Sequence, residues 1–219
     1  MKSNYLIFGG SGFIGKHLSE LISKKNQGIP VVFDVNPPKL ENGNFEKIDV
    51  RESISTNYNP TSKDVIFNLA AVHRTPGHNK NEYFETNILG AKNVCNYARK
   101  HDIKTIVFSS SIAVYGTYEE QKSEKTLSMP DIPYGISKLS AEYIHKLWQQ
   151  EDPEVRRLII VRPGVVFGKF EEGNFTRLIN STAKNLFFYP GRRDTIKACI
   201  YVKDLVTALM SMIDNEKVG

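Results

Sequence analysis

A tyrosine and a lysine four residues apart can share one face of a helix, and the run Tyr134-Gly135-Ile136-Ser137-Lys138 offers that pair. A free phenol ionises near pH ~10. An ammonium beside it favours the anion, so Tyr134 with Lys138 reads as a base able to take a proton from a hydroxyl. Spacing alone does not choose this pair, because Tyr118 and Lys122 repeat it. Position does: Tyr134 opens an amphipathic stretch, whereas Tyr118 falls in a charged loop just past Tyr115-Gly116.

Four further segments bear on the same chemistry. Gly9-Gly10-Ser11-Gly12-Phe13-Ile14-Gly15 follows an apolar run and opens a helical one. Glycines there allow a tight turn and let backbone approach a pyrophosphate, whose charge meets the free amides of a helix start; the same turn also suits packing alone. Asp34 ends the next apolar run, 19 residues after Gly15. A carboxylate at that place can accept both ribose hydroxyls of an adenosine and repel a 2′-phosphate, and Val35-Asn36-Pro37 offers no arginine to receive one, which favours NAD over NADP. Asp49, in Lys47-Ile48-Asp49-Val50, suits either the adenine amine or a helix cap. Ser109-Ser110-Ser111 follows another apolar run, where a hydroxyl can hold a substrate oxygen; spacing does not single out Ser111 within it.

The elements that must position these groups alternate along the chain. Tyr5–Phe8, Val31–Phe33, Val65–Leu69, Thr105–Phe108 and Leu158–Val161 read as buried parallel strands, with Phe45–Val50 a further short one. Phe13–Lys25, Tyr83–His101 and Tyr134–Gln150 read as amphipathic helices between them, so the expected fold is α/β, a parallel sheet covered on both faces. After Arg162-Pro163-Gly164 the rhythm breaks. A loop at Phe170–Gly173, a helix at Asn174–Lys184 and a short strand at Leu186–Tyr189 make a small lobe, and Ile200-Tyr201-Val202 leads a helix over Asp204–Ile213 back to the sheet. The expected division is residues 1–164 with 200–214 as one body and 165–199 as a partial lobe. The close at Lys217-Val218-Gly219 carries no stop signal, and reads as a short protein or the first part of a longer one.

No run reaches the ~18 apolar residues of a membrane helix, and the start is too short in apolar residues for a signal peptide, so the chain reads as cytoplasmic with no membrane partner. A net charge of +5 is scattered among acids, as in Glu119-Glu120-Gln121-Lys122-Ser123-Glu124-Lys125, which argues for a small anionic substrate over nucleic acid. Cys95 and Cys199 sit in apolar contexts and read as buried thiols, with no metal-ligand spacing.

Taken in order, Gly9-x-x-Gly12-x-x-Gly15, Asn68-Leu69-Ala70-Ala71, Thr86-Asn87, Ser109 to Gly116, Tyr134-x-x-x-Lys138 and Arg162-Pro163 resemble the extended short-chain dehydrogenase/reductase family, in its nucleotide-sugar epimerase/dehydratase branch. The resemblance covers nearly the whole chain. It implies a Rossmann-like doubly wound sheet with a small C-terminal substrate lobe, bound NAD, and a nucleoside-diphosphate sugar as substrate. It implies catalysis by Ser111, Tyr134 and Lys138, with Tyr134 exchanging a proton with the sugar hydroxyl, Lys138 lowering the phenol's pKa and holding the nicotinamide ribose, and Ser111 orienting the sugar oxygen. Gly9, Gly12, Phe13, Ile14, Gly15, Asp34, Asp49, Ala70, Asn87, Tyr134 and Lys138 are then the expected cofactor contacts, and His73, Arg74, Ser111, Arg192 and Lys197 the expected substrate contacts. A homodimer through Tyr83–His101 and Tyr134–Gln150 is a further expectation of the family.

Departures from the family pattern narrow the reading. Dehydrating relatives follow the serine with an Asp-Glu pair for elimination; here Ile112 and Ala113 stand instead, so dehydration is disfavoured and epimerase or 4-ketoreductase remains, with a non-catalytic dinucleotide sensor as a third class. Asn68 stands where the family often has histidine, Gly164 where it often has asparagine, and Lys197 where an arginine often grips the diphosphate. A lysine binds phosphate as a point charge, without the arginine's two-pronged fork.

Overall fold

In a computed structural model of the chain, the described residues are 4–38, 44–73, 78–118, 120–171, 173–186, 188, 194 and 196–215. Strand β1 (Tyr5–Phe8) leads through the glycine turn into helix α1 (Phe13–Lys25), β2 (Pro30–Asp34) and β3 (Asn44–Lys47). Strand β4 (Val65–Asn68) then precedes α2 (Lys80–Phe84), a π-helical turn (Glu85–Leu89) and α3 (Gly90–Lys100). Next come β5 (Thr105–Ser109), a 3₁₀ turn (Ile112–Tyr115), α4 (Pro133–Gln150) and β6 (Arg157–Val161). The chain closes through β7 (Val165–Phe167), α5 (Asn174–Ala183), β8 (Cys199–Tyr201) and α6 (Val202–Asp214).

Six strands form one sheet in the order β3-β2-β1-β4-β5-β6, every pair parallel. The order reverses between β1 and β4, which opens a crevice at the carboxyl ends of the strands where the glycine turn lies. Alternate strand residues feed two cores. Leu6, Phe8, Val31, Phe33, Ile66 and Ile106 pack with Val94, Cys95 and Trp148 of α3 and α4. Tyr5, Ile7, Val65, Phe67 and Val107 pack with Leu18, Ile22, Leu205, Val206 and Leu209 of α1 and α6. This is the doubly wound arrangement, and each such aliphatic or aromatic side chain withdrawn from water contributes roughly 1.5–3 kcal/mol.

Strand β1 and helix α1 fall at the residues the pattern predicts, and the other main-sheet strands within one residue at either end, apart from β3. That strand stops at Lys47, leaving Asp49 two residues past its end. The helix expected over Tyr83–His101 starts earlier and is interrupted by the π-helical turn, one residue wider than α-geometry. Strand β7, unexpected from the sequence, pairs in parallel with β8 as a second small sheet, Val165 opposite Cys199. Leu186 and Phe188 belong to no strand, and the rest of that expected strand lies outside the described residues. Cys199 is exposed on β8, since a two-stranded ribbon leaves one face uncovered, whereas Cys95 is fully buried and its thiol is pushed up to about 12 by that burial.

Candidate active site

The glycine turn is built on backbone closeness. Gly9 has φ +79°, and a Cβ there would lie 2.6 Å from the amide nitrogen of Ala70, so glycine alone lets β1 pass under the β4 end. Gly12 accepts Lys16 N–H as the cap of α1 and donates its own N–H to Gly9 O at 3.2 Å. Phe13 and Ile14 begin the helix half-buried, and Gly15 is buried in its first turn. Asp34 closes the other side of the crevice: its carboxylate accepts Ser11 N–H at 3.0 Å and Asn36 N–H at 3.1 Å. Dinucleotide-sized backbone access beside a carboxylate at the end of β2 fits a bound NAD.

Asp49 departs from expectation. Its carboxylate is held by the Arg51 guanidinium at 2.5 to 3.0 Å and by Arg51 N–H at 2.9 Å, which together keep it below the usual carboxylate range. It caps no helix. Asn87 sits in the π-helical turn, 3% exposed, with its side chain committed: Oδ1 accepts Val72 N–H at 2.9 Å, and Nδ2 donates to Val72 O at 3.1 Å and Ser137 Oγ at 2.8 Å.

Ser111 and Tyr134 meet across the mouth of the sheet. Ser111 begins the 3₁₀ turn, its Oγ accepting Ala113 N–H at 3.1 Å, and its hydroxyl lies close enough to the Tyr134 phenol to favour the phenolate. Gly135 makes this approach possible, because a Cβ there would collide with the carbonyl of Ala113. Burial pushes the Tyr134 phenol up and the Ser111 hydroxyl beside it opposes that rise. Lys138 follows one helical turn further along α4. Its stem runs inward, placing Nζ 4.6 Å from the Phe108 ring, 2% exposed, and burial pushes its pKa down to about 7 against the pull of Glu142. Tyr118, by contrast, is exposed and outside any helix, with Lys122 5.5 Å from its ring.

Beneath the triad lies a polar layer that the sequence reading missed. Glu142, one turn beyond Lys138 and 0% exposed, accepts a two-pronged ion pair from Arg162, with Nε to Oε1 at 2.8 Å and Nη2 to Oε2 at 2.6 Å. Ser110 Oγ donates to Glu142 Oε1 at 2.5 Å, and Arg162 Nη1 donates to Tyr115 Oη at 2.7 Å. His145, a turn further, donates from Nδ1 to Ala141 O at 2.7 Å and accepts from Asn68 Nδ2 at 3.2 Å. A signal was available: Lys138, Glu142 and His145 fall on the same helical stripe as Ala141 and Trp148, and charge on a buried stripe requires partners.

The expected substrate contacts are more scattered. His73 lies exposed past β4, whereas Arg74, Arg192 and Arg193 fall outside the described residues. Lys197 borders an apolar cavity of about 200 Å³ with Val165, Phe175 and Leu178, a volume of the size that holds one ring or chain segment.

The chain is similar to known proteins. The NAD dependent epimerase/dehydratase family model matches residues 5–219. The N-acetyl-alpha-D-glucosaminyl-diphospho-ditrans,octacis-undecaprenol 4-epimerase of Escherichia coli O157:H7 is 30% identical across 100% of this chain and 66% of its own length. The UDP-glucose 4-epimerase of Halalkalibacterium halodurans is 30% identical across 67% of this chain and 46% of its own. Among solved structures, MoeE5 in complex with UDP-glucuronic acid and NAD superposes with a TM-score of 0.81 at 26% identity, over 95% of this chain and 71% of that one. The chain thus spans about half to two thirds of the curated relatives it matches. A parallel sheet of this order with a glycine turn at its switch point agrees with that match, and the chain belongs to the NAD dependent epimerase/dehydratase family.

Proposed function

We propose that the protein is an NAD-dependent 4-epimerase of diphosphate-linked hexoses, with a nucleoside diphosphate as the carrier. The observation that carries this reading is the Ser111 hydroxyl beside the Tyr134 phenol, with Lys138 one helical turn away and no carboxylate at Ile112 or Ala113. NAD, when bound, supplies a reversible two-electron acceptor. Gly9, Gly12, Phe13, Ile14, Gly15 and Ala70 would cradle its pyrophosphate, Asp34 its adenosine ribose, and Lys138 its nicotinamide ribose. Ser111 Oγ orients the sugar oxygen, and Tyr134 Oη takes the hydroxyl proton and returns it after the ring has turned over. With no carboxylate at Ile112 or Ala113 to protonate a leaving hydroxyl, elimination is disfavoured and the sugar leaves as its epimer. Residues 165–199 would seat the substrate, with Lys197 at the diphosphate.

A second carrier is supported by two observations. A relative matched over this whole chain is an epimerase of a polyprenyl-diphosphate sugar, and Leu178 of the Lys197 cavity, with Ile179, Leu186, Phe188 and Ile196 elsewhere in residues 165–199, exposes apolar surface. The full-length protein incubated with UDP-, dTDP- and GDP-hexoses and with a polyprenyl-diphosphate N-acetylhexosamine should invert C4 of at least one, followed by NMR. Inversion in none overturns the reading. Net NAD(P)H oxidation with a 4-keto nucleotide sugar would make it a ketoreductase.

The protein is further proposed to act as a homodimer. Ile136, Tyr143 and Leu147 recur on the outer face of α4 and are exposed, as are Phe84 and Leu89 on the adjoining segment. Sedimentation of the full-length protein at micromolar concentration tests this, and a monomer throughout would overturn it.

A further inference from the structure

We infer that Glu142 is a positioning residue of the site, the buried carboxylate that registers the three catalytic side chains against one another; this rests on the reactive roles proposed above. The geometry carries it. Glu142 lies on α4 one turn beyond Lys138 and two turns beyond Tyr134. Through Ser110 it grips the end of β5 immediately before Ser111, and through Arg162 it grips the end of β6. Arg162 in turn holds Tyr115, which closes the 3₁₀ turn that Ser111 opens, by a 2.7 Å hydrogen bond and a cation–π contact at 4.9 Å. One carboxylate therefore joins the helix bearing Tyr134 and Lys138 to both ends of the turn bearing Ser111.

Charge supports the same assignment. The groups facing Glu142 are Lys138 and His145 on its own helix, Ser110 at the β5 end, Arg162 past β6, and Tyr115 behind Arg162. Glu142 opposes the burial that depresses Lys138, whereas Arg162 is already satisfied by its two-pronged pairing. A neutral side chain at 142 would thus leave Lys138 less able to keep its proton, and would free the Ser110 and Arg162 anchors at once.

The test is a lysine ¹³C NMR titration of the ligand-free protein, with the Lys138 signal assigned by its loss in Lys138→Met. In Glu142→Gln the Lys138 midpoint should fall by about one pH unit or more, and Glu142→Asp should return it toward wild type. In turnover assays Glu142→Gln should lower kcat by about tenfold or more with KM held within about threefold. Should the single variant fail to fold because Arg162 is stranded, Glu142→Gln/Arg162→Met removes both buried charges and both anchors, and should still lower kcat by about tenfold with KM little changed, unchanged kcat overturning the inference. An unmoved midpoint in the folded variant overturns the inference. Wild-type protein inactive on every sugar would overturn the proposed function instead, and the titration would still decide Glu142.

Discussion

Asn87 donates a 2.8 Å hydrogen bond to Ser137 Oγ, and Ser137 Oγ passes a 2.8 Å hydrogen bond to the carbonyl of Tyr134. The same amide clamps both backbone groups of Val72, so the loop leaving β4, the π-helical turn and the first turn of α4 move as one. The wide turn is what lets Asn87 face α4, because one extra residue rotates the helix that carries it. Asn87→Ala should strand the part-buried Val72 N–H at a cost of about 1–3 kcal/mol. Calorimetry should read this as a lower Tm, by roughly 2–4 °C per kcal/mol, together with a fall in kcat as Tyr134 loosens.

Tyr134→Phe keeps the ring that lies 6.3 Å from Tyr83 and removes only the hydroxyl. Turnover should fall by about 10²–10⁴-fold, the range for loss of a positioned acid or base. NAD binding, followed by fluorescence titration, should stay near wild type, and full retention of turnover would reassign the proton acceptor.

Asp34→Ala removes an acceptor shared by the Ser11 and Asn36 amides and by the expected ribose hydroxyls. A hydrogen bond to a charged group is worth about 1.5–3 kcal/mol, so the Kd for NAD should rise by roughly 10- to 150-fold. The ratio of Kd for NADP to Kd for NAD should fall in the same titrations, because the repulsion toward a 2′-phosphate is gone.

Gly135→Ala places a methyl group against the Ala113 carbonyl. Helix α4 and the 3₁₀ turn must then part, which draws Tyr134 away from Ser111. A drop in kcat with near-native circular dichroism is the expected outcome, and unchanged kcat would show that the two elements have slack.

Histidine 145 predicts how stability varies with acid. Burial, aided by Lys138, pushes His145 down to about 4 against the opposing hydrogen bond to Ala141 and the charge of Glu142. The unfolded chain binds that proton below its ordinary value near 6.5, while the folded chain stays neutral until about 4. The contribution is therefore complete above pH ~6.5 and declines as pH falls toward ~4. Urea midpoints across that range should fall in wild type and fall less steeply in His145→Gln.

The local sequence determined β1, α1, the glycine turn and Asp34, because each depends on neighbours in the chain: apolar runs set the strands, helical spacing set α1, and glycine set the turn. Spacing brought Lys138 within a turn of Tyr134, and position picked Tyr134 over Tyr118. Tertiary structure decided what those residues face. Lys138 turns toward Phe108 and loses affinity for its proton through burial, which no spacing encodes. Glu142 finds Arg162 20 residues on and Ser110 32 residues back, and Asn87 finds Ser137 across 50 residues. The β7–β8 pairing and the Arg51 grip on Asp49 are likewise settled by packing. A buried polar group takes whichever partner the packed core leaves beside it, since being left without one costs more than any local preference returns.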